Sequence, residues 1–197
     1  MEYKDRLILF VDILGFTSKV YKSTTDKGTA ENLKNTLEYL EIMFRKNYEG
    51  DSLEFTQFSD SIVISFPVNY PGGAYYIITQ ASFAIHALFT NNFICKGVIS
   101  VGKLYHKGDL LFGPEFLNVM KLEAMEDLPR VIFDEKILEI AKLCPGEGNI
   151  GYPDFELKII NNHIHKIESS KLYEVAWYKD YETLVGKSND HYLSIKR

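Results

Sequence analysis

The sequence predicts an α+β fold: a ferredoxin-like split β-α-β core with a mixed, mostly antiparallel sheet, helices on one face and strands added toward the C-terminal end. Three observations predict it. Residues 7–11, Leu-Ile-Leu-Phe-Val, form an unbroken apolar run of strand formers, as expected of an interior strand covered on both faces. Residues 53–58 and 62–66 are two apolar stretches joined by Ser59-Asp60-Ser61, the pattern of a hairpin. Segments with helical spacing lie between the run and the hairpin and again after it, which is the order of a split β-α-β unit.

Each element has its own signal. Gly15 ends the first strand, and Phe16-Thr17-Ser18 opens a short helix. A longer helix is predicted over residues 29–46, its apolar face made by Leu33, Leu37, Leu40, Ile42 and Met43. After the hairpin, residues 69–73 (Asn-Tyr-Pro-Gly-Gly) read as a loop. Residues 74–90 follow as a buried helix, with Ile77, Ile78, Ala81, Ile85, Leu88 and Phe89 at helical spacing. Residues 93–101 and 103–112 read as a second hairpin turning at 106–109. Gly113-Pro114 starts another helix, with proline where its missing N–H does no harm. A short strand over 130–133 and a helix over 135–143 come next. From Phe155 onward the pieces look strand-like and end at residues 173–177. No linker or repeat divides the chain, so one domain over 1–197 is expected.

Composition excludes several classes. A hydrophobic fraction of 46%, with 13 Phe and 13 Tyr, is that of a chain with a real core. A net charge of −5 argues against a general nucleic-acid binder. Cys95 and Cys144 make neither a disulfide framework nor a zinc site, and read as free thiols. Residues 1–6 mix charges unlike a signal peptide. The longest apolar stretches are too short, or too interrupted by Asp12, Gln80 and His86, to cross a bilayer. The expectation is a soluble cytoplasmic protein without a nucleic-acid or membrane partner.

The sharpest anomaly is Asp12, at the end of five large apolar residues. An uncompensated polar group there costs about 2–7 kcal/mol. Either it accepts backbone N–H bonds from the turn at Gly15, or something positive sits on it. Asp60, at the hairpin tip, is an ordinary turn residue. The split β-α-β order, however, lays the first strand beside that hairpin, bringing its end close to the turn. Two carboxylates so placed repel unless a cation lies between them. Mg²⁺ takes one or two carboxylates plus substrate phosphates. Gly15 lets the backbone come close, and amides near Phe16, Thr17 and Ser18 would point at an anion. Together these make a metal and triphosphate cradle. The tyrosines between 70 and 76 read either as a base-stacking surface or as core packing.

These residues resemble a known family. Residues 11–18, Val-Asp-Ile-Leu-Gly-Phe-Thr-Ser, look like the D-I-x-G-F-T signature of class III adenylate and guanylate cyclases. Phe58-Ser59-Asp60-Ser61 resembles their G-D hairpin turn, and residues 96–102, Lys-Gly-Val-Ile-Ser-Val-Gly, their R-x-G-I-x-x-G strand. The resemblance runs from about residue 7 to 138. Phe112-Gly113-Pro114-Glu115, Leu122-Glu123-Ala124-Met125 and residues 128–132, Leu-Pro-Arg-Val-Ile, further resemble the small bacterial pyrimidine cyclases of Pycsar antiphage defence.

The resemblance implies a cyclase that closes a nucleoside triphosphate (NTP) into a 3′,5′-cyclic nucleotide, cUMP or cCMP in the narrower match, to be read by a separate cyclic-nucleotide-binding effector. It implies Asp12, Asp60 and the Ile13 carbonyl as ligands of two divalent metals, Mg²⁺ or Mn²⁺, with Gly15, Phe16 and Thr17 around the phosphates. Thr56 and Leu110 stand at the two base-reading positions, where neither purine code is present. Asn118 and Lys121 stand at or beside the transition-state positions. Lys121 replaces an Arg, and Leu117 occupies the Asn position itself, one residue before Asn118. Arg130 and Lys96 are further cations for the phosphates, or else structural ion-pair partners. Asn118 and Lys121 are read equally well as solvated surface. The resemblance also implies a homodimer with two sites shared between subunits.

Overall fold

The computed structural model describes residues 2–46, 53–168 and 170–179. The first strand, β1 (Lys4–Leu14), explains its own composition. Leu7, Leu9, Val11 and Ile13 enter one core, while Ile8 and Phe10 enter a second core on the opposite face. A strand buried on both sides has no use for alternating polar residues.

Two helices, α1 (Phe16–Ser23) and α2 (Lys27–Lys46), lead to the hairpin of β2 (Glu54–Phe58) and β3 (Ser61–Pro67). Helix α3 (Gly73–Thr90) then returns the chain to β4 (Ile94–Lys107). These four strands lie in the order β2-β3-β1-β4 with antiparallel neighbours, the arrangement the split β-α-β reading requires. A short β5 (Leu110–Phe112) folds back on β4, and α4 (Pro114–Met125) follows. Then come β6 (Val131–Asp134), parallel to β4, and α5 (Lys136–Leu143). A 3₁₀ turn at Glu147–Asn149, α6 (Pro153–Ile160), β7 (Ile164–Lys166) and β8 (Leu172–Val175) complete the described chain, with β8 between β6 and β7. Among the described residues no helix is long and apolar enough to cross a membrane.

Four details differ from the sequence reading. In α2, Ile42 points outward and Phe44 is fully buried instead, joining Leu33, Leu37, Leu40 and Met43. Residues 94–107 are one strand with no break at Gly102, and the turn of the second hairpin is Gly108-Asp109. Gly102 is small because the Glu115 carboxylate lies on it, where a Cβ would come within 2.2 Å. The segment from Phe155 is helical up to Ile160, although Phe-Glu-Leu-Lys-Ile alternates like a strand; Pro153 in the first turn starts the helix, and Glu156 and Ile160 form its buried stripe. Finally, the helices are not confined to one face. Helices α2, α3, α5 and α6 contribute to the larger core, whereas α4 places Val119 and Phe116 on the second core with Ile8, Phe10, Val63, Val98, Leu104 and Ile132.

Two backbone positions carry tight constraints. A Cβ on Gly97 would sit 2.3 Å from the Phe10 carbonyl oxygen, so β1 and β4 approach through that glycine. Ser59 opens the β2–β3 turn with φ of 53°, a left-handed conformation that costs a side-chain-bearing residue about 1 kcal/mol. Gly97→Ala is therefore expected to lower stability by about 3 kcal/mol or more, by overpacking against backbone. Ser59→Gly is expected to raise it by about 0.5–1 kcal/mol. Urea unfolding of both variants measures the pair.

Candidate active site

The side chain of Asp12 shares the face of Phe10, toward α4. Its strand neighbours are Ser61 on β3 and Lys96 on β4. One residue on, the Ile13 amide donates to the Asp60 carbonyl at 2.9 Å, tying the end of β1 to the tip of the β2–β3 hairpin. The two acids are thus brought together by register. Their proximity has an electrostatic signature: the Asp12 carboxyl is raised above the usual carboxylate range, first by burial, then by the charges of Asp60 and Glu123. Lys96 and a hydrogen bond from Ser61 act in the opposite direction.

Next to Asp12 the chain turns at Gly15, with φ of 70° and open space where a Cβ would be. Helix α1 starts there with no side-chain cap and no acidic residue in its first turn, so the amides around Phe16, Thr17 and Ser18 lack side-chain acceptors. Phe16 packs against the larger core, while Thr17 is exposed.

The cations are engaged elsewhere. Lys96 forms an ion pair with Glu123 at 3.0 Å and donates to the Glu123 and Glu126 carbonyls, closing the C-terminal end of α4. Arg130 bridges Glu126 at 3.2 Å and Glu174 at 3.4 Å. Both occupy the ion-pair positions that the sequence left as an alternative to phosphate binding. Asn118 is exposed on α4 and donates to Glu115, which also accepts from Ser100. Lys121 is exposed on α4 and is not among the charges that move Asp12.

Thr56 is buried, and its hydroxyl is committed within the chain. It donates to the Gly108 carbonyl at 2.8 Å and meets His106 Nε2 at 2.8 Å. Since the hydroxyl hydrogen goes to Gly108, Nε2 carries the imidazole proton. Nδ1 then accepts from Ser65 Oγ, which accepts in turn from Arg6 Nε. A buried relay therefore runs Arg6, Ser65, His106, Thr56. Burial, with Arg6 adding to it, pushes His106 down to about 3, so the imidazole is neutral. Glu54 accepts from the Gly108 amide, and Arg45 pairs with Asp109, fastening the turn that leads to the exposed Leu110 beside β2. His106 and Ser65 were not singled out by the sequence, because a His or a Ser amid strand residues carries no motif. Glu115 stood in the Phe-Gly-Pro-Glu stretch at the start of α4, but nothing there gave it a role.

Two carboxylates and a main-chain carbonyl at Ile13 are oxygen donors suited to Mg²⁺ or Mn²⁺. The Asp12 carboxyl is raised first by its burial and then by the charges of Asp60 and Glu123, and a cation would relieve both. Among the described residues no group of three or more His, Cys, Asp or Glu side chains could hold a metal ion. The remaining coordination would fall to phosphate or water.

No family model and no curated protein sequence matches the chain. Solved structures do. The adenylyl cyclase CyaB from P. aeruginosa is similar with a TM-score of 0.54 at 13% identity, covering 89% of this chain and 95% of that one. The guanylyl cyclase domain of the RhoGC fusion protein from Blastocladiella emersonii gives 0.57 at 17%, covering 89% and 96%. A bacterial light-regulated adenylyl cyclase gives 0.56 at 16%, covering 92% and 94%. The structural neighbours are class III adenylyl and guanylyl cyclase domains, and the chain has the class III cyclase fold.

A raised carboxyl lowers stability wherever it is ionised: in metal-free protein the Asp12 contribution is favourable at low pH and is lost as pH rises through its raised value. Asp12→Asn is expected to raise the melting temperature of EDTA-treated protein at neutral pH, by differential scanning fluorimetry. His106 acts in the other direction. Its stability is present above its unfolded value of 6.5 and drains as pH falls toward 3, a loss on the order of several kcal/mol. The urea midpoint of the wild type is expected to fall over that window, and His106→Gln to flatten the fall.

Proposed function

We propose that the chain is a nucleotidyl cyclase, converting an NTP to a 3′,5′-cyclic nucleotide and pyrophosphate. The observation that carries this reading is the juxtaposition of Asp12 and Asp60 beside the uncapped start of α1, on a cyclase fold. One structural neighbour, a rhodopsin-guanylyl cyclase catalytic core of converted specificity, is complexed with ATPαS.

In this reading Asp12, Asp60 and the Ile13 carbonyl hold two divalent cations. Those ions would lower the pKa of the 3′-hydroxyl and neutralise the triphosphate. The chain's own residues position. The α1 amides at Phe16 and Thr17 hold phosphate oxygens, and Gly15 lets them approach. The 3′-oxygen bonds to the α-phosphorus, its proton leaves, and the bond to the bridging oxygen breaks to release pyrophosphate.

The site is completed by a second copy of the chain. Helix α4 exposes Leu117, Met120 and Met125 alongside Asn118 and Lys121, an apolar surface with polar reach that suits a subunit interface. The partner would bring its Lys121 and Asn118 to the triphosphate. Arg130 and Lys96, held in ion pairs within the chain, would support the site from behind. The base would meet Leu110 and the internally bonded Thr56, with no Lys or Glu to read a purine. That absence favours a pyrimidine, hence cUMP or cCMP, and a cytoplasmic signalling role in antiphage defence with a separate effector. A nucleotide-binding protein without turnover is the second reading, favoured by Leu117 and Lys121 at the transition-state positions.

Incubation with each of the four NTPs and Mn²⁺ or Mg²⁺, with products read by mass, tests the proposal. The expected result is a cyclic nucleotide from a pyrimidine NTP. Asp12→Ala and Asp60→Ala should each cut turnover by at least about a hundredfold, and full activity in either overturns the assignment. Metal-dependent NTP binding without a cyclic product from a verified dimer favours the second reading.

A further inference from the structure

On another part of the molecule, a cavity of about 440 Å³ opens between the start of α3 and the segment joining α5 to α6. Its walls include Tyr70, Tyr75, Tyr76, Glu147, Asn149 and Glu156, and no lysine, arginine or histidine lines it. The tyrosines are not stacked flat on one another. Tyr70 and Tyr76 lie 5.9 Å apart at 55°, and Tyr75 and Tyr76 5.8 Å apart at 58°, so the rings form angled walls.

Glu156 is the unusual member. It is 3% exposed, in the first turn of α6. Its Oε2 accepts from the Gly146 amide and from Asn149 Nδ2, while its Oε1 has no hydrogen-bond partner. No lysine or arginine among the described residues pairs with it. A buried carboxylate oxygen left without a donor costs more than an ordinary hydrogen bond returns. Aromatic faces and two carboxylates, without a compensating positive charge, are complementary to a cation. Among the described residues, no group of three or more His, Cys, Asp or Glu side chains that could hold a metal ion gathers here.

We propose that this cavity is a binding site for an organic cation bearing N–H groups, an alkylammonium of the polyamine type, whose N–H satisfies Glu156 and whose charge lies against the tyrosine rings. The site stands apart from Asp12 and Asp60 and does not depend on the reading of those residues.

Titration calorimetry of the full chain with putrescine, spermidine and tetramethylammonium tests it. Saturable millimolar or tighter binding of putrescine or spermidine is expected, with tetramethylammonium, which has no N–H, at least about tenfold weaker. Glu156→Gln keeps the size of the side chain and should abolish binding. Tyr75→Leu, at a half-buried position, should weaken it about tenfold and serves if the first variant does not fold. The proposal is overturned if neither amine binds saturably, if tetramethylammonium binds equally, or if the folded variants bind as the wild type does. The last outcome would mean diffuse attraction to a chain of net charge −5.

Discussion

The hydrogen bond from the Ile13 amide to the Asp60 carbonyl holds the candidate site in place. It extends the β1–β3 ladder one step past the last paired residues, Asp12 and Ser61, and reaches into the turn itself. A slip of one residue in that ladder would turn Asp12 into the larger core and Ile13 toward α4. Leu7, Leu9, Val11 and Ile13 on one side, and Ile8 and Phe10 on the other, oppose the slip, because each face already has its own apolar partners. The position of one acid is thus enforced by the burial of six neighbours.

That enforcement is unfavourable in isolation. Asp12 is partly desolvated and faces the charges of Asp60 and Glu123, and only Lys96 and Ser61 offset them. Lys96 is shared, since it also closes the end of α4 through Glu123 and Glu126. Sites of this kind, where local stability is given up for a fixed charge arrangement, are characteristic of binding and catalysis.

Much of this was legible in the residues. The apolar run of β1, the carboxylate that ends it, and the turn at Asp60 all follow from periodicity and turn chemistry. The strand order β2-β3-β1-β4 follows from the order of elements. What stayed hidden had physical reasons. The alternation at 155–159 fits strand and short helix alike, and only packing of Glu156 and Ile160 decides. Gly102 fell between two predicted strand segments, 93–101 and 103–112, but its role within one continuous strand is to admit Glu115 from another element, which no local pattern encodes. Lys96 and Arg130 could be named as cations, whereas their partners Glu123, Glu126 and Glu174 emerge only in three dimensions. His106 carried no signal because its partners Ser65 and Thr56 are 41 and 50 residues away.

The buried relay through His106 has a consequence for how this protein can change over evolutionary time. Thr56 is one link of a chain whose polarity is set from Arg6 to Gly108. Replacing it by a residue that cannot make both contacts would strand the buried imidazole Nε2–H and take the donor from the Gly108 carbonyl. Positions 56 and 106 are therefore epistatic, and a new side chain at the first is tolerated only with a matching change at the second. Diversification at this corner of the sheet would proceed in coordinated pairs, leaving lineages separated by poorly folding intermediates.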